Sequence, residues 1–360
     1  MIGYSRGKVI KILGKYNNCT EILVSTEKGQ FRAVNYDMLT GKVREGDEVL
    51  LNTTAVDLKL GSGGVHFVVS VNEGLPDFEK GGAGHIMKLR YTPLQFSVLS
   101  AEEQQSPYHE VFNDYDSIDN MPVIIGELHS MLLPAVFNIK RQKPGLKVTY
   151  IMTDGGALPI DFSKSVSYLK EKKLIEGTVT FGQAFGGSLE TVNIYTALIA
   201  ARHIQKADIA VVTMGPGITG TGTKFGFSGI EQGPIIDAVN TLGGRALFIP
   251  RISFADPRNR HYGISHHSIT VLTRVAKTRT RVILSEMELE KQKYVTEQIR
   301  ESGIDKQHDI IMIEDVKSVE ENITSYGYEL TTMGRSFSQD REFFLTAGAA
   351  GYAAAELVEK

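Results

Sequence analysis

The residues best suited to chemistry fall in two neighbouring stretches. Arg251 to His267 reads RISFADPRNRHYGISHH, and from Pro257 to Ser285 there is no aspartate or glutamate. That span also holds Arg258, Arg260, Arg274, Lys277, Arg279 and Arg281, with His261, His266 and His267. Such an excess of cations, in a chain of formal net charge -3, creates a local positive field. The planar arginine fork grips phosphate or carboxylate through paired N–H···O bonds, so Arg251, Arg258 and Arg260 are read as ligands for an anionic small molecule. Imidazole titrates near neutrality, which suits His261, His266 and the upstream His129 to moving protons. Asp154 or Asp256 would orient a histidine or hold Mg²⁺, and the cofactor is otherwise left open. Adjacent His266 and His267 do not easily reach one ion from a regular element, and no H-E-x-x-H spacing occurs, so no metal ligand is assigned.

The second stretch, Asp208 to Gly229, reads DIAVVTMGPGITGTGTKFGFSG. A short apolar run rich in valine stops abruptly at a glycine-rich loop. Gly215, Gly217, Gly220 and Gly222 free the backbone for close approach to a ligand. Successive N–H groups there, with the hydroxyls of Thr219, Thr221 and Thr223, would make an anion-binding concavity. Two nucleotide motifs are nearly spelled and neither is met. Gly215 to Gly220 fits G-x-G-x-x-G, but no helix pattern opens there and no acidic residue follows the next strand-like run. Gly217 to Lys224 ends Thr-Lys where a phosphate-binding P-loop requires Lys-Thr. No G-x-S-x-G occurs to support a serine nucleophile.

A chain of 360 residues suffices for a large core and two domains. The N-terminal part, about residues 1–80, carries short branched runs at Val9–Ile12, Glu21–Val24, Phe31–Asn35, Glu48–Leu51 and Val65–Val71, separated by turn formers. These predict a small β-barrel or sandwich. Glu79–Gly84 is the expected linker, and His85–Gln95 alternates like a strand, with Lys88 and Arg90 on one face. Residues 101–120 are polar and suit a loop or short lid.

From Pro122 onward β-runs alternate with helical patterns, which implies a parallel sheet with right-handed crossovers. Ser188 is the expected cap of one helix, with Glu190 favourable to its dipole. A helical tail follows from about Val319, with a break near Met333–Arg335. In open sheets of this kind, ligands bind at the carboxyl ends of the strands. The unusual residues sit at those ends: Glu127 and His129, Asp154, Gln183, the glycine loop, then Arg251 and Asp256.

A single cysteine, Cys19, excludes an intrachain disulfide and a thiolate cluster, and fits a reducing cytoplasm. The N-terminus lacks the apolar core of a signal peptide, and no apolar run approaches bilayer length. A cytoplasmic protein without membrane or nucleic-acid partners is therefore expected. The alanine- and glycine-rich run Ala347–Ala355 allows close helix approach, or a subunit contact in a homo-oligomer.

The segments GHIMKLRYTPLQ (84–95), GELHS (126–130), GGALP (155–159), GQAFGG (182–187), GPGITGTGT (215–223), RISFADPRNRHYGISHH (251–267) and TMGR (332–335) together resemble an uncharacterised bacterial family of unknown function, over nearly the whole chain. The resemblance implies no activity and transfers no residue role.

The expected architecture is α/β. A parallel, doubly wound, Rossmann-like sheet occupies 81–360, ending in a helical tail, behind a β-barrel-like module at 1–80. The expected function is that of a hydrolase or group transferase acting on a phosphorylated or otherwise anionic small molecule. The alternatives are a non-catalytic sensor using the same pocket and a structural or assembly protein.

Overall fold

The computed structural model describes residues 2–60, 63–72 and 84–359. All of the expected linker but Gly84 lies outside these, as do Gly61 and Ser62 of one expected turn. The described residues form two compact units. One contains the chain up to Asn72 together with Leu89–Phe96 and Asp161–Ser167, and the other contains the rest.

The first unit is a closed five-stranded barrel. Its strands are β1 (Tyr4–Tyr16), β2 (Cys19–Thr26), β3 (Gly29–Tyr36), β4 (Glu48–Asn52) and β5 (His66–Val71), in the order β1-β2-β3-β5-β4. Each branched run in the sequence becomes one of these strands. β1 is long, and register shifts between Val9 and Lys11 and between Ile12 and Gly14 let it bend and pair with both β2 and β4. Val9, Ile22, Val24, Val49, Leu51 and Val68 point inward and form the core. Asp161–Ser167 belongs to this unit: Asn18 Nδ2 donates to Asp161 Oδ2 at 2.8 Å, and the Phe162 ring packs against Phe67.

The second unit is built on an eight-stranded sheet. Its strands are β6 (Pro122–Gly126), β7 (Val148–Thr153), β8 (Gly177–Phe181), β9 (Leu189–Thr191), β10 (Ile209–Met214), β11 (Arg245–Ile249), β12 (Arg281–Ser285) and β13 (Asp309–Ile313). The order is β9-β8-β7-β10-β6-β11-β12-β13, and every pairing is parallel. β6, β7 and β10 are buried along their whole length, which is why they read as continuous apolar runs. Val123, Ile125, Val212, Phe248 and Val282 pack with Ala197, Val239, Leu272 and Val295 from one layer of helices. Successive strand residues alternate faces, so Ile124, Leu247 and Ile283 serve the opposite layer. There helices Leu132–Gln142, Val316–Thr324 and Arg341–Glu356 pack on one another.

The order reverses at the centre. The chain runs outward from β6 to β9, returns with β10 between β7 and β6, then continues on the other side from β11. The loops leaving β10, β6 and β11 therefore meet at the switch point, where open α/β sheets bind ligands.

Several local expectations are corrected. Ser188 caps no helix: its hydroxyl bonds Thr178, and Leu189–Thr191 is an edge strand. Asn193 caps the following helix through a reciprocal box with Thr196. Glu190 serves no helix dipole but pairs with Lys88 at 3.1 Å and accepts from Thr180 Oγ1. Lys88 is completely buried, its ammonium also donating to the carbonyls of Gly182 and Ala184. Only Ile86–Lys88 of the expected strand at 85–95 forms, because Leu89 and Tyr91 adopt positive φ. The polar stretch at 101–120 includes a helix, His109–Asp114. The tail break is longer than expected, with a two-stranded ribbon of Thr331–Thr332 and Arg335–Ser336 before the last helix. No helix among the described residues is long and apolar enough to cross a membrane.

Candidate active site at the carboxyl edge of the sheet

β6 hands over at Gly126 to Glu127, whose side chain is fully buried. Its Oε1 pairs with Nδ1 of His267, while Oε2 has no hydrogen-bond partner among the described residues. The carboxylate has room because residue 229 is glycine: a Cβ there would lie 2.5 Å from Glu127 Cγ. His267 is the second residue of the helix starting at His266, which Ser265 caps by accepting the His267 N–H at 3.2 Å. The same Ser265 hydroxyl hydrogen-bonds Nδ1 of His261 at 2.7 Å. One serine thus ties the short turn Asn259–His261 to the helix start and brings three imidazoles together. Their ring centroids are 4.3 to 5.1 Å apart, and one nitrogen from each lies within 4.8 Å of the others. Phe227, at the end of the glycine loop, stacks on His267 at 3.9 Å. Nε2 of His266 is buried without a partner among the described residues.

Burial pushes the His261 ring down to about 3, helped by Arg251 and Arg258. It pushes His266 down to about 4, helped by His267 and Arg260. Both rings are therefore neutral at physiological pH. His129, beyond Glu127, is likewise pushed down to about 4 by desolvation, and its Nδ1 lies 3.2 Å from the Met214 carbonyl.

Asp256 is the hub of the arginines. The Arg258 side chain donates to it twice, at 2.8 and 2.7 Å, in the expected fork geometry, and its backbone N–H donates at 3.0 Å. Arg251, almost fully buried, reaches it at 3.5 Å, and Arg335 approaches at 3.7 Å. The Arg258 hydrogen bonds hold the Asp256 carboxyl well below the usual carboxylate range. Arg335 is shared with buried Asp340, which also accepts from Ser253 Oγ. Arg260 is different: it is exposed and has no carboxylate partner among the described residues.

The glycine loop folds partly on itself. Thr221 N donates to the Gly226 carbonyl, the hydroxyls of Thr221 and Thr223 bond each other, and Thr219 N donates to Ser228 Oγ. Its tip lies against the cluster. A Cβ on Gly220 would sit 3.3 Å from His267, and one on Gly222 would sit 3.7 Å from the Arg260 guanidinium.

Two cavities open here. One, of about 160 Å³, is lined by Thr219, Gly220, Gly222, Arg251, Arg258, Arg260, His261 and His267. The other, of about 130 Å³, is lined by Glu127, His129, Ser130, Gly215 and Gly217. Ile218 and Met333 line both. The barrel unit has a cavity of about 330 Å³ among Arg6, Lys8, Glu27 and Glu48, but its charges are mixed and it gathers no histidine.

Asp154 lines neither site cavity. Its Oδ2 accepts from Gln183 N at 3.0 Å, so it ties the β7 loop to the β8 loop. Beside it, Glu231 accepts from Thr153 Oγ1, and burial pushes its carboxyl up to about 7, with Asp154 adding to the rise. Sequence reasoning gave no role to Glu127, Glu231, His267, Arg335 or Asp340. The available signals were GELHS directly after a buried strand and the doubled histidine behind a capping serine.

The model of a family described as protein of unknown function (DUF3866) matches residues 32–351. The chain belongs to this family. In this DUF3866 chain the match covers every site residue named above, together with the whole of the eight-stranded sheet. No curated protein matches the chain.

Proposed function

We propose that this protein is an enzyme, a hydrolase or group transferase, acting on a phosphorylated or otherwise anionic small molecule at the sheet's carboxyl edge. The observation that carries the reading is the state of the three arginines. Arg251 and Arg258 are held rigid by a buried Asp256, while Arg260 stands beside them with its charge unspent. A preorganised cationic wall of this kind gives most to a transition state that gains negative charge. The glycine loop supports the reading because it lines both cavities, through Gly220 and Gly222 in one and Gly215 and Gly217 in the other. His129 lines the adjoining cavity beside Glu127 and is the residue there suited to proton transfer.

The test is turnover of a panel of phosphate esters and nucleotides, alongside thermal-shift measurement with the same compounds. A substrate is expected to raise the melting temperature and be consumed, with both effects reduced at least tenfold in Arg260→Ala. Stabilisation without consumption of any compound would replace the enzyme with a ligand-binding sensor. Turnover unchanged in both Arg260→Ala and Arg258→Ala would remove the arginine wall from the function.

A further inference from the structure

We propose that His261, His266 and His267 form a binding site for a divalent transition metal of the zinc type, with its open coordination position facing the arginine-lined cavity. The proposal deepens the enzymatic reading above, on which only the role of the open position rests.

The geometry carries it in four steps. The three imidazoles each offer a nitrogen within 4.8 Å of the other two. Tetrahedral coordination with metal–nitrogen bonds of about 2.1 Å separates neighbouring ligand atoms by about 3.4 Å. Closing the tripod therefore asks each nitrogen to move by about an ångström. Next, hydrogen bonds within the protein engage one nitrogen of two of these rings and leave the other nitrogen over. His267 engages Glu127 through Nδ1, and His261 engages Ser265 through Nδ1, so Nε2 of each remains. For His266 the remaining atom is directly visible, since its Nε2 is buried and has no partner among the described residues. Leaving such an atom without a partner is costly in a folded protein and calls for an explanation.

The third step is Glu127. A carboxylate bonded to the far nitrogen of a metal-ligating imidazole fixes its tautomer and raises its basicity, and the Glu127–His267 pair has that arrangement. Full burial of Glu127, with Gly229 kept bare to admit it, is hard to account for by packing alone. Its negative charge, with that of Asp256, also offsets the neighbouring guanidiniums that would otherwise repel a dication. Finally, three imidazole ligands leave a fourth position for water or substrate, as in catalytic rather than structural zinc sites. His261 and His267 line the cavity that also presents Arg251, Arg258 and Arg260, so an anion bound by the arginines lies next to that position. A metal-bound water there would ionise near neutral pH and serve as the nucleophile that the proposed hydrolysis needs.

Adjacent His266 and His267 were not expected to reach one ion from a regular element. Consecutive residues on a helix point about 100° apart, but these two occupy its first turn, and their ring centroids are only 4.3 Å apart. His261 completes the set from outside the helix.

The experiment uses the full chain without an affinity tag, stripped with a chelator and titrated with Co²⁺ alone while visible absorption is recorded. Equimolar binding with the intense bands of a four-coordinate site is expected. His266→Ala should abolish it, and Glu127→Gln should weaken it about 10–100-fold. X-ray absorption on the Zn²⁺-loaded wild type, which needs no variant to fold, should show three imidazoles. Absence of equimolar Co²⁺ binding by the wild type would overturn the proposal, as would binding left intact in a folded His266→Ala. If phosphate still stabilised the metal-free protein while Co²⁺ failed to bind, the metal site would fall and the anion site would stand. Equimolar Co²⁺ binding without any response to anions would support the metal and remove the arginine-based function.

Discussion

Replacing Glu231 with glutamine should flatten the pH dependence of stability. Burial raises this carboxyl from its ordinary 4.5 to about 7. At about 1.4 kcal/mol per pH unit, that difference corresponds to about 3 kcal/mol. The sign follows from linkage. Below pH 4.5 the group is protonated folded and unfolded, and its contribution is fully present. As pH rises toward 7 the unfolded chain releases the proton while the folded one holds it, so stability is lost, and above 7 the loss is complete. Between pH 5 and pH 8 the wild type should therefore lose about 2.5 kcal/mol that Glu231→Gln does not lose. Glutamine keeps an oxygen to accept the Thr153 hydroxyl, so the substitution changes the ionisation more than the packing. The assay is urea unfolding of both proteins at pH 5 and pH 8, followed by tyrosine fluorescence, the chain having 14 tyrosines and no tryptophan. Parallel stability curves for the two proteins would refute the reasoning. They would mean that the carboxylate is ionised in the native state across this range and that neither burial nor Asp154 controls it.

Other perturbations test the remaining construction. Gly229→Ala places a Cβ against Glu127 and should cost about 1–3 kcal/mol by overpacking, read as a lower melting temperature. Lys88→Met leaves Glu190 buried without its cation and should destabilise by about 3–5 kcal/mol. The double variant Lys88→Met, Glu190→Gln should recover much of that loss in the same denaturation assay. In Gly351→Ala, a Cβ would lie 2.0 Å from the Ala135 carbonyl oxygen, so helices Leu132–Gln142 and Arg341–Glu356 must separate. A loss of about 3 kcal/mol or failure to fold is expected, and an unchanged melting temperature would contradict the close helix contact.

The architecture was legible because each unit obeys its own periodicity. Branched runs between turn formers gave the five barrel strands, and continuous apolar runs gave β6, β7, β10 and β11, which need no polar face. What failed were positions where a tertiary partner outweighs a local preference. Ser188 and Glu190 look like a helix start, yet the Lys88 ammonium is buried beside them and needs a carboxylate, so Glu190 is taken for an ion pair. Lys88 itself alternates in sequence as a solvent-facing residue would. No pattern along the chain reveals a charge whose partner is 102 positions away, as Glu190 is from Lys88.

The site shows the same division at finer grain. Sequence position placed Glu127, His129, the glycine loop and Arg251 at strand ends, and the sheet order then put three of those ends side by side. Which side chains converge was decided by contacts that spacing does not encode. Asp256 read as a group to hold a cation or orient a histidine, but its oxygens are taken by Arg258, with Arg251 and Arg335 close by. Asp154 read as a member of the same constellation, but it secures the neighbouring loop through Gln183. The residue behind His267 is Glu127, and the reason is Gly229, 102 positions further along the chain from it, whose missing side chain leaves the space. Gly229, the last residue of the glycine-rich stretch, is thus a packing requirement of a buried carboxylate. That carboxylate fixes which nitrogen His267 presents to the cavity, so the chemistry open to the three histidines depends on a residue that bears no functional group.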